Sequence, residues 1–238
     1  MLKNFLKKLF YKLPFLEKFG LKIFLKLKIF PGSFEYWEQR YSKGRNSGLG
    51  SYGELALYKA EIINEFINKN NINSVIEFGC GDGNQLKLSN YKKYIGIDVS
   101  KTAILNCRTI FKKDSSKTFY LDSEFIGTKA ELSLSLDVIY HLIEDDIFEK
   151  YMKDLFKYST KYVLIYSSNF KSEQNWHVKH RNFNEWINNN IPNASQKQFI
   201  KNRYPYKGDE STGSLADFYI YEIENIKPAK LKIVEPLD

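Results

Sequence analysis

The sequence predicts an α/β domain, a mostly parallel sheet with helices on both faces. Short apolar runs at 75–78, 94–97, 118–121, 131–136 and 161–166 alternate with amphipathic stretches of helical length, the pattern that crossover connections produce. Later runs end on Asp98, Asp122, Asp137 and Ser167, so polar groups stand at the carboxyl ends of the strands, where such sheets bind ligands. The first run is followed at once by Gly79, Gly81 and Gly83, three glycines in five residues.

A chain of 238 residues suffices for one such domain with an appendage. The hydrophobic fraction of 43% is that of a globular protein, and no run of about 18 uninterrupted apolar residues is present to span a bilayer. Two cysteines, Cys80 and Cys107, give no disulfide framework, so a reducing cytoplasm is the expected location. With three histidines and no CxxC, no metal site is expected. The charge is uneven. Residues 1–30 hold eight lysines and one acid, Glu17, leaving 28 basic and 27 acidic residues elsewhere. A nearly neutral body argues against nucleic acid as a partner.

Residues 1–33 read as a basic amphipathic helical extension, and 34–238 as the domain itself. Leu2, Phe5, Leu6, Leu9, Phe10 and Leu13 fall at helical spacing, with Lys3, Lys7, Lys8 and Lys12 on other faces, until Pro14 and Gly20 interrupt the pattern. There is neither a lysine-free apolar centre nor a small-residue cleavage site, as a secretory signal would require. Two readings stand for residues 1–30: peripheral contact with the inner face of an anionic membrane, or packing on protein with the lysines solvated.

Taken in order, residues 34–41 read as a short helix and 43–53 as an irregular Gly- and Ser-rich loop. Residues 54–69 read as a helix with Leu55, Leu57, Tyr58, Ile62, Phe66 and Ile67 on its apolar side. The strand at 75–78 follows. After Asp98, Ser100 is placed to cap a helix over 101–112. The strand at 118–121, the strand at 131–136, a helix over 145–158 and the strand at 161–166 come next. A helix over 184–189 precedes a closing strand pair, 199–203 and 218–223, separated by a loop over 204–215.

The glycine turn carries the chemistry. Asp98 lies nineteen positions after Gly79, at the tip of the next strand of a βαβ unit, where a carboxylate can meet a ribose while glycines let the main chain approach the ligand. A dinucleotide fingerprint requires G-x-G-x-x-G, but the third glycine is replaced by Asn84, and Asp82 inside the turn would repel a pyrophosphate. A cationic, phosphate-free cofactor meets no such conflict.

Residues 75–83, VIEFGCGDG, closely resemble the first motif of the class I S-adenosylmethionine-dependent methyltransferases, and residues 94–100, YIGIDVS, resemble their second. The resemblance covers roughly residues 45–170. It implies a Rossmann-like, seven-stranded, mostly parallel sheet with an antiparallel C-terminal hairpin, and S-adenosyl-L-methionine as cofactor. It implies donor contacts from Glu77, Gly79, Cys80, Gly81, Asn84 and Gln85 in the turn, and from Asp98, Val99 and Ser100 at the ribose. Asp122 and Ser123 fall at the adenine, and Leu136, Asp137 and Val138 border the methyl donor. Ser51 and Tyr52 lie in the segment 46–53, which suits a lid over the donor's amino acid end. More narrowly, the chain is similar to methyltransferases of bacterial capsule and surface-polysaccharide biosynthesis, which implies a sugar, nucleotide-sugar or phosphoramidate acceptor. RNA or protein methylation, or donor binding without catalysis, are the alternatives.

A hydroxyl acceptor needs a base to take its proton. His141, four residues past the end of the fourth strand, is the candidate. His177, His180 and Arg181 follow the fifth strand and suit a phosphate-bearing acceptor. Trp37, Tyr41, Tyr140 and Asn169 complete the expected acceptor site, with aromatic faces available to a sugar or base.

Overall fold

The computed structural model describes residues 30–224. The chain divides into two compact units, Met1–Pro31 and Gly32–Asp238. The amphipathic reading of residues 1–29 lies outside the described residues.

In the second unit, helix α1 (Ser33–Ser42) and helix α2 (Gly53–Lys69) precede strand β1 (Val75–Phe78). Strand β2 (Tyr94–Asp98), helix α3 (Lys101–Ile110), strand β3 (Lys117–Leu121) and strand β4 (Ala130–Leu136) follow. Helix α4 (Asp145–Lys157), strand β5 (Ser159–Ser167), helix α5 (Phe183–Asn190), strand β6 (Ala194–Ile200) and strand β7 (Asp217–Ile223) complete it. The seven strands are ordered β3-β2-β1-β4-β5-β7-β6. The first five run parallel, and β7 lies antiparallel between β5 and β6.

β1 is buried along its whole length because apolar layers cover both faces of the sheet. On one face Tyr58, Ile63 and Phe66 of α2 and Ile104 of α3 pack on Val75, Leu134 and Leu164. On the other, Phe148, Met152 and Leu155 of α4 and Phe183 and Ile187 of α5 pack on Ile76, Ile97 and Val163. From β1 the chain steps outward to β2 and β3, then returns to place β4 on the other side of β1. The carboxyl ends of β1 and β4 therefore flank the switch point, where a crevice opens.

Two elements differ from the sequence reading. The crossover between β1 and β2 is a 3₁₀ turn, Gln85–Leu88, not a helix, since Ser89 and Asn90 leave few residues for one. The penultimate strand lies at Ala194–Ile200, N-terminal to the expected 199–203. As an edge strand it is mostly exposed and shows no apolar alternation. It ends where the Asn202 N–H turns to the Asp217 carboxylate (2.7 Å).

Candidate active site

All three glycines of the turn after β1 have left-handed backbone angles, φ 81°, 57° and 74° at Gly79, Gly81 and Gly83, a region costly for residues with a Cβ. A Cβ on Gly79 would stand 2.5 Å from Val138 Cγ2, and one on Gly81 would stand 2.3 Å from Ser47 Oγ. The turn thus meets the post-β4 segment on one side and the loop of Ser47 on the other.

Asp82 clamps that loop. One of its carboxylate oxygens accepts the Ser47 N–H and the Tyr52 hydroxyl, both at 2.8 Å, and its own N–H donates to Ser47 Oγ (3.0 Å). The Asn84 amide donates to the Ser51 carbonyl (2.8 Å). Tyr52 and Asn84 therefore act by fixing the loop and do not line the cavity beneath it. Burial, then the bond to Asp82, pushes the Tyr52 phenol up to about 12.

A cavity opens beneath this loop at the carboxyl ends of the strands. Ser51, Glu77, Gly79, Cys80, Gly81, Gln85, Asp98, Val99, Asp122, Leu136, Asp137, Val138 and His141 line it, with Trp37 and Tyr41 of α1. α1 is stitched across it. The Ser33 hydroxyl donates to a Glu144 carboxylate oxygen (2.6 Å), lies 2.9 Å from the His141 carbonyl, and accepts the Ile143 N–H. Glu38 accepts the hydroxyls of Ser100 and Thr102, each at 2.6 Å, where α3 begins. Ser100 also caps α3 by accepting the Ala103 N–H. It is spent on these bonds and does not line the cavity.

Asp98 is buried, and its two oxygens accept the Gly81 and Ser100 N–H groups, each at 2.9 Å. Burial pushes its carboxyl up to about 6 despite those bonds. Each oxygen keeps a second lone pair, the acceptor capacity that a vicinal diol can use. Burial likewise pushes Glu77 up to about 7, with the Tyr94 hydroxyl bonded to one oxygen (2.6 Å).

At the end of β4, Asp137 has φ 59° and accepts the Lys59 ammonium (2.5 Å) on one oxygen and the Tyr140 hydroxyl (2.8 Å) on the other. Tyr140 supports Asp137 from outside the cavity wall. Lys59 lines the cavity and is 1% exposed. Its signal in the sequence was a lysine at i±4 from Leu55 and Ile63 on the buried stripe of α2. Ser33, Ser47, Lys150, Tyr151 and Asp154 also line the cavity without having been singled out. Six carboxylates (Glu77, Asp82, Asp98, Asp122, Asp137 and Asp154) face it against two lysines, Lys59 and Lys150. The field inside favours a cation.

His141 is half-buried beside Trp37, whose ring lies edge-on at 4.9 Å. Burial pushes its imidazole down to about 4, so it is neutral at pH 7. Nδ1 lies 3.0 Å from the His177 carbonyl. A carbonyl only accepts, which puts the proton on Nδ1 and leaves Nε2 as a lone-pair acceptor. The His177 ring stacks behind His141 at 5.1 Å and on Tyr36 at 4.6 Å, so it positions the candidate base.

The remaining acceptor candidates stand elsewhere. Arg181 is consumed by the fold. Its Nε and Nη2 donate to the Leu142 carbonyl, Nη2 also to Ile143, and Nη1 to Asp145 (2.6 Å). It is not placed to hold an acceptor anion. His180 bonds Ser168 Oγ through Nδ1 (2.5 Å) and stacks on Phe170. Asn169 accepts the Asn184 N–H at the start of α5, and Ser123, expected at the adenine of the donor, is exposed on the surface. None of the four lines the cavity. Among the described residues no cluster of His, Cys, Asp and Glu is arranged to hold a metal ion.

Among solved structures, the chain is similar to the N-methyltransferase NodS from Bradyrhizobium japonicum WM9 in complex with S-adenosyl-L-homocysteine. The TM-score is 0.63 at 13% identity, covering 82% of this chain and 100% of that one. It is also similar to magnesium protoporphyrin IX methyltransferase (ChlM) from Synechocystis PCC 6803 with bound SAM, at TM-score 0.57 and 13% identity over 81% and 97% of the two chains. The fold is that of the S-adenosylmethionine-dependent methyltransferases. The methyltransferase domain of bacterial CtHen1 matches at TM-score 0.54 and 16% identity, covering 71% of this chain and 98% of that one. No family model matches the chain, and no curated protein sequence does. In this fold the glycine turn after β1 stands at the switch point, with Asp98 at the tip of the neighbouring β2.

Proposed function

We propose that this protein transfers a methyl group from S-adenosylmethionine to a hydroxyl oxygen of a small acceptor, most simply a sugar. The observation that carries this reading is the acid-lined cavity over a glycine turn, with a buried carboxylate at the tip of β2. The residues present fit the donor. Asp98 suits the ribose diol, Asp122 stands at the end of β3 for the adenine, and the excess of carboxylates suits a sulfonium. Gln85 Oε1, buried without a partner, supplies an acceptor that a ligand N–H would satisfy. When bound, S-adenosylmethionine supplies an already activated methyl group. The chain then has to align the acceptor, exclude water and take up one proton.

In this reading α1 excludes water from above, Trp37 offers an aromatic face, and His141 Nε2 takes the proton of the acceptor hydroxyl. An acid-rich cavity and the commitment of Arg181 favour a neutral sugar hydroxyl over a phosphate or phosphoramidate. They also disfavour RNA. We further propose that residues 1–30 hold the enzyme at anionic lipid surfaces, on the strength of their eight lysines and interleaved Leu and Phe.

Calorimetric titration with S-adenosylhomocysteine tests the donor. Binding to the wild type that Asp98→Ala abolishes is expected, and unchanged affinity in the variant would overturn the reading. Labelled donor offered with neutral sugars and oligosaccharides, nucleotide-sugars, sugar phosphoramidates and RNA tests the acceptor, with transfer to a neutral sugar hydroxyl expected and transfer to phosphate-bearing acceptors or RNA alone refuting it. For residues 1–30, their deletion is expected to abolish pelleting with anionic liposomes, and equal pelleting of the truncated chain would dismiss lipid contact.

A further inference from the structure

Lys59 is the buried cation of the cavity; Lys150, the other lining lysine, is 60% exposed and paired with Asp122 and Asp154. A lysine confined to 1% exposure is expensive, and a buried ion pair returns little of that cost as stability. Its ammonium has three donors and makes one hydrogen bond, to Asp137. The Asp137 carboxylate is in turn roofed by the loop at Gly50, where a Cβ would come within 2.8 Å of the same oxygen. Beside Lys59, the Gln85 side chain is 6% exposed, with its amide donating to the Ala56 carbonyl (3.0 Å) and its Oε1 unpartnered. Ala56 and Lys59 are one turn apart on α2, so spare cationic donors and an orphan acceptor share one end of the cavity.

Spare positive donors next to unsatisfied acceptors form a complement to a zwitterion. We propose that Lys59, Gln85 and Asp137 form a receptor for an α-amino acid group, with Lys59 exchanging Asp137 for the ligand's carboxylate. Gln85 Oε1 and the released Asp137 oxygen then take the ligand's ammonium. This rests on the donor reading above and deepens it: the Lys59–Asp137 pair of the ligand-free chain occupies the amino acid subsite, and the ligand inserts its two charges between the partners. Lys59 is then a specificity-determining residue. It selects ligands that carry the amino acid and leaves affinity for the bare nucleoside thioether unaffected.

The test compares S-adenosylhomocysteine with 5′-methylthioadenosine, which shares the nucleoside and sulfur but lacks the amino acid, by calorimetric titration of the full chain. Lys59→Met should weaken S-adenosylhomocysteine binding by about tenfold to a hundredfold, the size of a lost charge-assisted hydrogen bond, and leave methylthioadenosine within about threefold. Lys59→Met leaves Asp137 buried without a cation, so Lys59→Met/Asp137→Asn provides a second background, checked by circular dichroism, in which the same selective loss is expected. Equal losses for the two ligands, or no loss for S-adenosylhomocysteine, would overturn the receptor. Failure of both ligands to bind the wild type would instead overturn the donor reading on which it rests.

Discussion

Replacing Glu77 by Gln measures what the cavity costs the fold. Glu77 sits at the centre of the sheet, 4% exposed, and burial lifts its carboxyl from an ordinary 4.5 to about 7 against the lowering influence of the Tyr94 hydroxyl and the Lys59 ammonium. With the folded value above the unfolded one, the folded chain holds the proton more tightly. The associated stability is fully present below pH 4.5 and is lost as the pH rises through 7. At about 1.4 kcal/mol per pH unit, the gap amounts to about 3 kcal/mol, a large share of the roughly 5–15 kcal/mol that holds a domain together. Gln cannot ionise and still offers an oxygen to the Tyr94 hydroxyl. At about pH 8 the variant should be the more stable by as much as 3 kcal/mol, and at about pH 4.5 the two should agree to roughly 0.5 kcal/mol. Urea unfolding followed by tryptophan fluorescence at several pH values reads both quantities. Wild-type and variant stabilities that run parallel from about pH 5 to 8 would refute the reasoning.

His141→Asn keeps a donor for the His177 carbonyl but removes the Nε2 lone pair; turnover should fall about a hundredfold or more with S-adenosylhomocysteine affinity unchanged, as stopped assays and calorimetry would show. Because desolvation holds His141 near 4, kcat/KM for the wild type should show no histidine inflection between about pH 5 and 8, and one near 6.5 would contradict its neutral state. Arg181→Ala strips donors from the Leu142 and Ile143 carbonyls; it should cost about 2–4 kcal/mol and lower the melting temperature by about 5–10 °C, with donor affinity retained in calorimetry below the transition.

The candidate site was legible in part, and the divide follows the range of the interactions. Gly79, Gly81 and Gly83 declared themselves because left-handed backbone is a local demand that glycine alone meets cheaply. Asp98 declared itself because strand, turn and strand fix its place at the tip of β2 by spacing alone. Strands β1, β2, β4 and β5 were readable from apolar runs, whereas the exposed edge strand β6 was not. Asp82 was read as an electrostatic veto on phosphates, and its clamp on the loop of Ser47 emerged only when residues 35 positions apart came into contact.

What the sequence determined alone was the pair of parallel strands β1 and β2 and the glycine turn after β1, with the cationic, phosphate-free class of ligand that the turn suits. Tertiary structure decided which charged side chains are free to meet a ligand. Lys59 finds Asp137 across 78 positions, Arg181 is taken up by carbonyls 38 and 39 positions away, and Ser33 binds Glu144 across 111. Side chains of one type are thus spent on the fold or left to the cavity according to partners that only the closed sheet brings within hydrogen-bonding range.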